Sequence, residues 1–232
     1  MKNQRINMIF FPAALIVISA FLFNDGRGVA PAASFEPDIK EIVPPASYPA
    51  AVGYKIDPGK STFIVRALAG GLFSALGHDH TIAIRDFSGE AQVTPDSVQP
   101  ASLQMTARSA SLTVTDKVSD SDRQEIEKTM REEVLEIGKY PQMVFKSTRI
   151  DAEKTGEGQY RARISGNLTL HGVTRSLPIT AQLTLSGNTL RARGQFSLKQ
   201  SDYNIKRVSV AAGTINVKDE LKFSFDIIAG KQ

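Results

Sequence analysis

Two of the three histidines in this chain, His78 and His80, stand one residue apart in the stretch GLFSALGHDH at residues 71–80. On an extended strand, residues i and i+2 point to the same face, so the two imidazoles are spaced to chelate one metal ion. Zinc and similar ions need a third protein ligand even at an open catalytic site. Asp79 would point to the opposite face and His171 is far away in the sequence, so a third ligand is not evident.

The same histidines have a plainer interpretation as part of a polar loop. Three glycines lie within this stretch or just before it, and in a tightly turning loop Asp and His side chains commonly make local hydrogen bonds. We therefore expect His78 and His80 to shape a loop or a polar cap at the mouth of a pocket, without a bound metal or cofactor. His171, in LTLHGVT, is expected to make a structural hydrogen bond at a strand end, with a place at the pocket mouth as the alternative.

No arrangement of residues argues for catalysis. The chain has no cysteine, and it contains none of the motifs of serine hydrolases, zinc proteases, phosphate-binding loops or dinucleotide-binding folds. Its carboxylates are scattered over polar faces, and none falls in an apolar stripe where burial would raise its pKa. The formal net charge is only +4, with no aromatic-interleaved basic patch for nucleic acid. We expect a binding protein and not an enzyme.

The N-terminal segment is typical of an exported protein. Lys2 and Arg5 precede an apolar run at residues 8–23 that only Ser19 interrupts, and the small residues APA follow at 30–32. This order predicts a signal peptide within residues 1–33 and a periplasmic or secreted protein. The alternative is an uncleaved anchor, in which residues 8–23 hold the protein to the inner membrane. Residues 34–53 are rich in Pro and Ala and predict an extended linker, which leaves residues 54–230 as the folded domain.

The folded domain alternates apolar and polar residues with a period of two. In YRARISGNLTL, at 160–170, one face carries only apolar side chains: Tyr160, Ala162, Ile164, Leu168 and Leu170. Similar runs recur along the domain, with Ser186-Gly187-Asn188 as a tight hairpin between two of them. Alternation of this kind is typical of antiparallel sheet with one buried face. About eight such strands predict an all-β fold, a closed eight-stranded antiparallel barrel that leaves no free edge.

One segment, SDSDRQEIEKTMREEVLEIGKYP, departs from this period. Ile126, Met130 and Val134 follow one another at intervals of four, which is the spacing of one helix face. Ser121 and Gln124 resemble a capping box at its start. The segment predicts one amphipathic helix of about three turns, laid across an opening or the flank of the barrel. Gly89, within the strand predicted at 81–93, predicts a bulge or a sharp bend.

The sequence resembles the YceI-like family over essentially all of residues 54–228. The resemblance is carried by YKIDPGKSTFIVRA at 54–67, FSGEAQV at 87–93, KYPQMVFKST at 139–148, GNLTLHGVTRSLPI at 166–179, SDYNI at 201–205 and VKDELKFSFDI at 217–227. The family comprises exported, lipocalin-like barrels that bind isoprenoid or other lipids. The resemblance therefore implies a lipocalin-like barrel with a hydrophobic partner, such as an isoprenoid lipid, a polyprenyl lipid or a quinone.

The inward faces of the predicted strands also favour a ligand. They include the small residues Ala67, Ala162, Gly166, Ala181, Ala192 and Gly194, which leave space inside a barrel unless larger neighbours fill it. The apolar lining expected around a ligand consists of Phe63, Val65, Ile82, Ile84, Met105, Phe145, Ile164, Leu168, Phe196, Phe223 and Phe225. A shift of one residue in any strand would exchange its two faces and invert this lining.

Two other functions remain open at this stage. An exported accessory protein for a metal or haem would use His78 and His80. A barrel filled by its own side chains would act as a scaffold or stress protein whose partner binds the outer polar surface. A dimer is compatible with all three functions.

Overall fold

The alternating segments form the strands of a single antiparallel sheet. The computed structural model describes residues 50–71, 79–95, 97–210 and 215–232, all within a unit that spans residues 47–232. The strands in these ranges are β1 Val52–Ile56, β2 Thr62–Gly70, β3 His80–Ile84, β4 Phe87–Val93, β5 Ala101–Arg108, β6 Leu112–Val114, β7 Gln142–Gly156, β8 Gln159–Leu170, β9 Val173–Ser186, β10 Thr189–Lys199, β11 Ser209–Val210 and β12 Ile215–Lys231.

Eight strands close into a ring, which confirms the predicted barrel. The order around the ring is β1, β4, β5, β7, β8, β9, β10 and β12, and β12 returns to β1 by the pairing of Ala229 with Ile56. The strand β12 is long enough to pair with two different strands along one of its edges. Its last residues pair with β1 and its earlier part pairs with β2, which continues the sheet through β3 to β6.

Short interruptions divide two stretches, residues 81–93 and 102–114, in which the alternation predicts one continuous strand each. β3 and β4 are separated at residues 85–86, and β5 and β6 at the 3₁₀ turn Ser109–Ser111. Of the two features predicted at Gly89, a bulge or a sharp bend, the bulge is wrong, because β4 pairs with β5 without a register shift there. Gly89 instead permits close packing, since a Cβ atom at this position would meet Met105 Cα at 3.0 Å.

The predicted helix is present, but it begins earlier than expected. α1 spans Asp120–Thr129 and continues as a π-helical turn over Met130–Val134. Its N-cap is Ser119, whose hydroxyl accepts a hydrogen bond from Asp122 N at 3.1 Å. The cap predicted at Ser121 is therefore wrong by two residues. Asp122 lies three residues after the Ser119 cap, which is the spacing of a capping box. Its negative charge also interacts favourably with the positive end of the helix dipole.

Side chains of α1 and of the π-helical turn that follows it occupy the free edge of β6. Glu127 Oε1 accepts a hydrogen bond from Val114 N at 2.9 Å, and Arg131 Nη2 donates to Leu112 O at 3.1 Å. Glu127 and Arg131 also pair with each other at 2.9 Å, and Arg123 donates to Val114 O and Asp116 O. An unpaired strand edge exposes polar backbone groups, and here the helix satisfies them and is fixed against the sheet.

Several sequence predictions lie outside the described residues. They are the signal peptide or anchor at 1–33, most of the linker at 34–53, and His78. Within the ranges that are described, no helix combines the length and the apolar character needed to cross a membrane.

Gly194 of β10 permits a close contact that a methyl group would disrupt. A Cβ atom there would meet Thr180 O and Phe225 Cζ, both at 2.6 Å. We expect Gly194→Ala to lower the free energy of unfolding by about 1–3 kcal/mol, the usual cost of overpacking. Chemical denaturation would measure this change. Gly230→Ala is the matched control, because no atom lies within 4 Å of a Cβ there, and equal stability of the two variants would contradict the prediction.

Candidate functional site

The ring of strands encloses an apolar cavity, here called the barrel cavity. Its volume is about 170 Å³, and its wall is formed by inward-facing side chains of the ring strands and of β2 and β3. Ser102 is the single polar residue in that wall among the described residues. A cavity with so few hydrogen-bonding groups favours hydrocarbon and disfavours water.

Four phenylalanines surround Phe63 in the interior. Its ring centroid lies 6.2–6.4 Å from those of Phe87, Phe196, Phe223 and Phe225. Phe196 and Phe223 face each other across β10 and β12 and stack at 4.6 Å with an interplanar angle of 4°. All of these rings except that of Phe87 are only half-buried, because they border empty space.

A second cavity, here called the helix cavity, lies between the sheet and α1. Its volume is about 430 Å³, and its walls come from β2, β3, the inner face of α1 and the segment around Ile205. Four residues line both cavities: Ile84, Met143, Leu170 and Phe223. We call these four residues the neck, because they stand where the two apolar spaces adjoin.

All eleven predicted lining residues face one cavity or the other. Val65 and Ile82 line the helix cavity, and Ile84 and Phe223 belong to the neck. The remaining seven line the barrel cavity: Phe63, Met105, Phe145, Ile164, Leu168, Phe196 and Phe225. Their contact with a ligand stays a prediction. The helix residues Ile126, Met130 and Val134 add a wall to the helix cavity, which the list of strand residues did not include.

The small inward residues do not all leave empty space. The ring of Phe145 lies over Gly166, and the ring of Phe225 lies over Gly194. At these two positions the alternative to open space holds, because an aromatic side chain from the neighbouring strand fills the place of the missing side chain. The open volume lies instead beside the phenylalanine rings.

The two described histidines have different surroundings. His80 lines the helix cavity, and its Nδ1 lies 2.9 Å from Asp116 Oδ2, whose other oxygen accepts a hydrogen bond from Thr81 N. His171 lines neither cavity. Its ring nitrogens lie 2.7 Å from Glu136 Oε2 and 3.2 Å from Tyr203 O, so it joins the β8–β9 turn to the end of the helical segment. In the described part of the chain, no three His, Cys, Asp or Glu side chains are grouped to hold a metal ion.

Gln200 is the functional candidate that the sequence analysis missed. It follows Leu198 at the end of β10, lines the helix cavity and is 4% exposed. Its Nε2 donates to Lys218 O at 2.9 Å. The alternation that places Leu198 and Phe196 inward, continued by two residues, would have identified a polar side chain at an inward position.

Neighbouring groups shift the pKa values of two side chains near Gln200, Asp219 and Tyr203. Asp219 accepts hydrogen bonds from the hydroxyl and the backbone N–H of Ser201, which keep the pKa of this carboxyl below its usual range. Burial raises the pKa of the Tyr203 phenol, helped by the nearby Asp202. Asp219 is therefore anionic and Tyr203 is neutral at pH 7.

The fold and the site define a lipocalin-like antiparallel barrel with an apolar interior. The profile of the YceI-like domain family matches residues 54–229. The chain belongs to this family, and the assignment made from the sequence is confirmed.

Relatives of similar length are found among bacterial proteins. A UPF0312 protein of Yersinia enterocolitica (serotype O:8, biotype 1B) is 32% identical over 166 residues, which cover 67% of this chain and 77% of that protein. A UPF0312 protein of Yersinia pestis (strain Pestoides F) is 31% identical with the same coverage. Sequence identity at this level is consistent with a shared barrel.

Solved structures show the same fold at lower identity. BcnA of Burkholderia cenocepacia has a TM-score of 0.56 at 20% identity, with coverage of 75% of this chain and 98% of BcnA. A polyisoprenoid-binding domain from Saccharophagus degradans has a TM-score of 0.56 at 14% identity, with coverage of 77% and 98%.

Proposed function

We propose that this protein is an exported binding protein that sequesters or carries an isoprenoid-type lipid or quinone inside its barrel. The observation that carries the proposal is the pair of adjoining apolar cavities, which share the neck residues. No bond is made or broken in this function. The protein holds its ligand by removing apolar surface from water.

The size of the apolar interior suits a flexible hydrocarbon chain. The helix cavity, at about 430 Å³, falls in the range of small-molecule pockets, roughly 300–1,000 Å³. Each methylene group that leaves water contributes about 0.8 kcal/mol, so a few isoprene units supply substantial affinity without any ionic contact. The half-buried phenylalanine rings around Phe63 offer flat apolar surfaces to such a chain.

The structural neighbours support the ligand class. The Saccharophagus degradans domain, which shares the fold, is described as polyisoprenoid-binding. An isoprenoid is an unsaturated, methyl-branched hydrocarbon, and the barrel cavity offers aliphatic and aromatic walls with Ser102 as the single polar residue among the described ones. Export is proposed from Lys2, Arg5 and the apolar run at residues 8–23.

Native mass spectrometry of the protein in its exported form, purified from the cells that produce it, tests this proposal. We expect one stoichiometric apolar adduct that organic extraction removes and that an added isoprenoid quinone or polyprenol restores. A bare polypeptide mass that stays bare with both lipids would contradict the carrier function and favour the scaffold. A metal-sized adduct that is lost in His80→Ala would favour the metal-related function instead.

A further inference from the structure

We infer that the ligand has an uncharged head that donates a hydrogen bond, such as a hydroxyl group, and that Gln200 receives it. This inference rests on the proposed lipid-binding function and specifies the head of the lipid. It selects a free prenol-type alcohol or a quinol over a prenyl phosphate.

The distribution of polar groups orients an amphiphilic ligand. The barrel cavity has Ser102 as its one polar lining residue in the described ranges. The helix cavity has five: His80, Glu125, Thr129, Gln200 and Asn216. A polar head loses less hydration where it can form hydrogen bonds. The head therefore lies in the helix cavity, and the hydrocarbon tail passes the neck into the barrel cavity.

Gln200 supplies a buried acceptor for that head. Its Nε2 faces Lys218 O at 2.9 Å, and because a carbonyl oxygen can only accept, this contact fixes which end of the amide is the NH₂ group. The other end, Oε1, accepts no hydrogen bond from another described residue, and Gln200 as a whole is 4% exposed and lines the helix cavity. This oxygen is therefore available to a hydroxyl group bound in the cavity.

The charges around the helix cavity disfavour an anionic head. No Lys or Arg lines either cavity among the described residues, whereas the exposed acidic residue Glu125 is part of the helix-cavity wall. The His80 ring pairs with the Asp116 carboxylate, so a positive charge on this ring would already be balanced. Lys199, Arg207 and Lys218, which lie around Asp219 and Gln200, are exposed and line neither cavity. Residues 72–78 and 211–214 contain neither Lys nor Arg in the sequence.

A series of lipids with one tail and three heads tests the inference on the unaltered protein. The probes are geranylgeraniol, its methyl ether and its monophosphate, compared by competition in native mass spectrometry and by calorimetric titration in the same detergent. We expect the alcohol to bind about tenfold more tightly than the ether, since one net hydrogen bond of about 1.4 kcal/mol corresponds to that factor. We expect the phosphate to bind at least about tenfold more weakly than the alcohol, because no cation offsets its desolvation.

Gln200→Met keeps the length of the side chain and removes the acceptor. In this variant we expect the alcohol and the ether to bind equally, while the ether keeps its wild-type affinity. Gln182→Met is the matched control, because Gln182 is exposed on the outer face of β9, and it should preserve the tenfold preference. A folded Gln200→Met protein that keeps the tenfold preference would overturn the assignment of the acceptor to Gln200. If Gln200→Met does not fold, the lipid series on the unaltered protein still decides the nature of the head.

The possible outcomes separate the inference from the proposed function. Equal binding of the alcohol and the ether by the unaltered protein would overturn the hydroxyl head. Tighter binding of the phosphate would overturn the uncharged head. Failure of all three lipids to bind would instead overturn the lipid-binding function itself.

Discussion

Replacing Phe196 or Phe223 with aspartate should abolish lipid retention by this barrel. The two rings stack at 4.6 Å inside the wall of the barrel cavity, and Phe223 also belongs to the neck. A carboxylate at either place would lie against hydrocarbon with no partner, at a cost of several kcal/mol. The carboxylate would take up a proton or draw in water, and either event weakens the binding of an apolar tail. Native mass spectrometry of Phe196→Asp and Phe223→Asp should show at least about a hundredfold loss of the adduct.

Control variants on the same strands separate this effect from unfolding. Ser197 and Ser224 each follow one of the two phenylalanines and, by strand alternation, point to the outer face. Ser197→Asp and Ser224→Asp should retain the lipid at wild-type levels. Far-ultraviolet circular dichroism must show folded barrels for all four variants. A folded Phe223→Asp protein that keeps its full complement of lipid would show that the ligand lies elsewhere.

The barrel was predictable because its strands obey one simple periodicity. Burial of one sheet face forces apolar residues into alternate positions, and in β8 this pattern places Tyr160, Ala162 and Ile164 inward as expected. The hairpin at residues 186–188 was predictable as well, since Gly187 adopts a positive φ of 55° in the turn. Strand alternation and the turn depend on residues that are close together in the sequence, so both can be predicted from the sequence alone.

Features that depend on distant neighbours were not predictable. The ring of Phe225 fills the space beside Gly194 because the two residues are paired between β10 and β12. Alternation within one strand does not determine this register. The helix cavity is formed where α1 packs over β2 and β3, and sequence periodicity identified the apolar helix face without identifying what it covers. Gln200 was missed for a different reason: it lies just beyond β10, and the alternation of Phe196 and Leu198 identifies it only when it is continued past the end of the strand.

The contact between α1 and β6 links stability to ligand retention. Glu127 accepts the Val114 N–H and pairs with Arg131, and its side chain is only 13% exposed. Removing the Glu127 carboxylate would leave the part-buried Val114 N–H and the Arg131 guanidinium without this partner. We expect the free energy of unfolding to fall by about 2 kcal/mol. For a domain of this size, that loss corresponds to a fall in Tm of about 4–8 °C.

The same substitution should shorten the residence time of the lipid, because α1 forms one wall of the helix cavity through Ile126 and Met130. We therefore expect Glu127→Ala to raise the dissociation rate of a preloaded lipid several-fold, as measured by its transfer to acceptor vesicles, together with the fall in Tm by calorimetry. Glu133→Ala is the matched control, since Glu133 is exposed in the same helical segment, and both quantities should stay at wild-type values. A lower Tm with an unchanged dissociation rate would show that the lipid leaves by a route that does not require α1 to move.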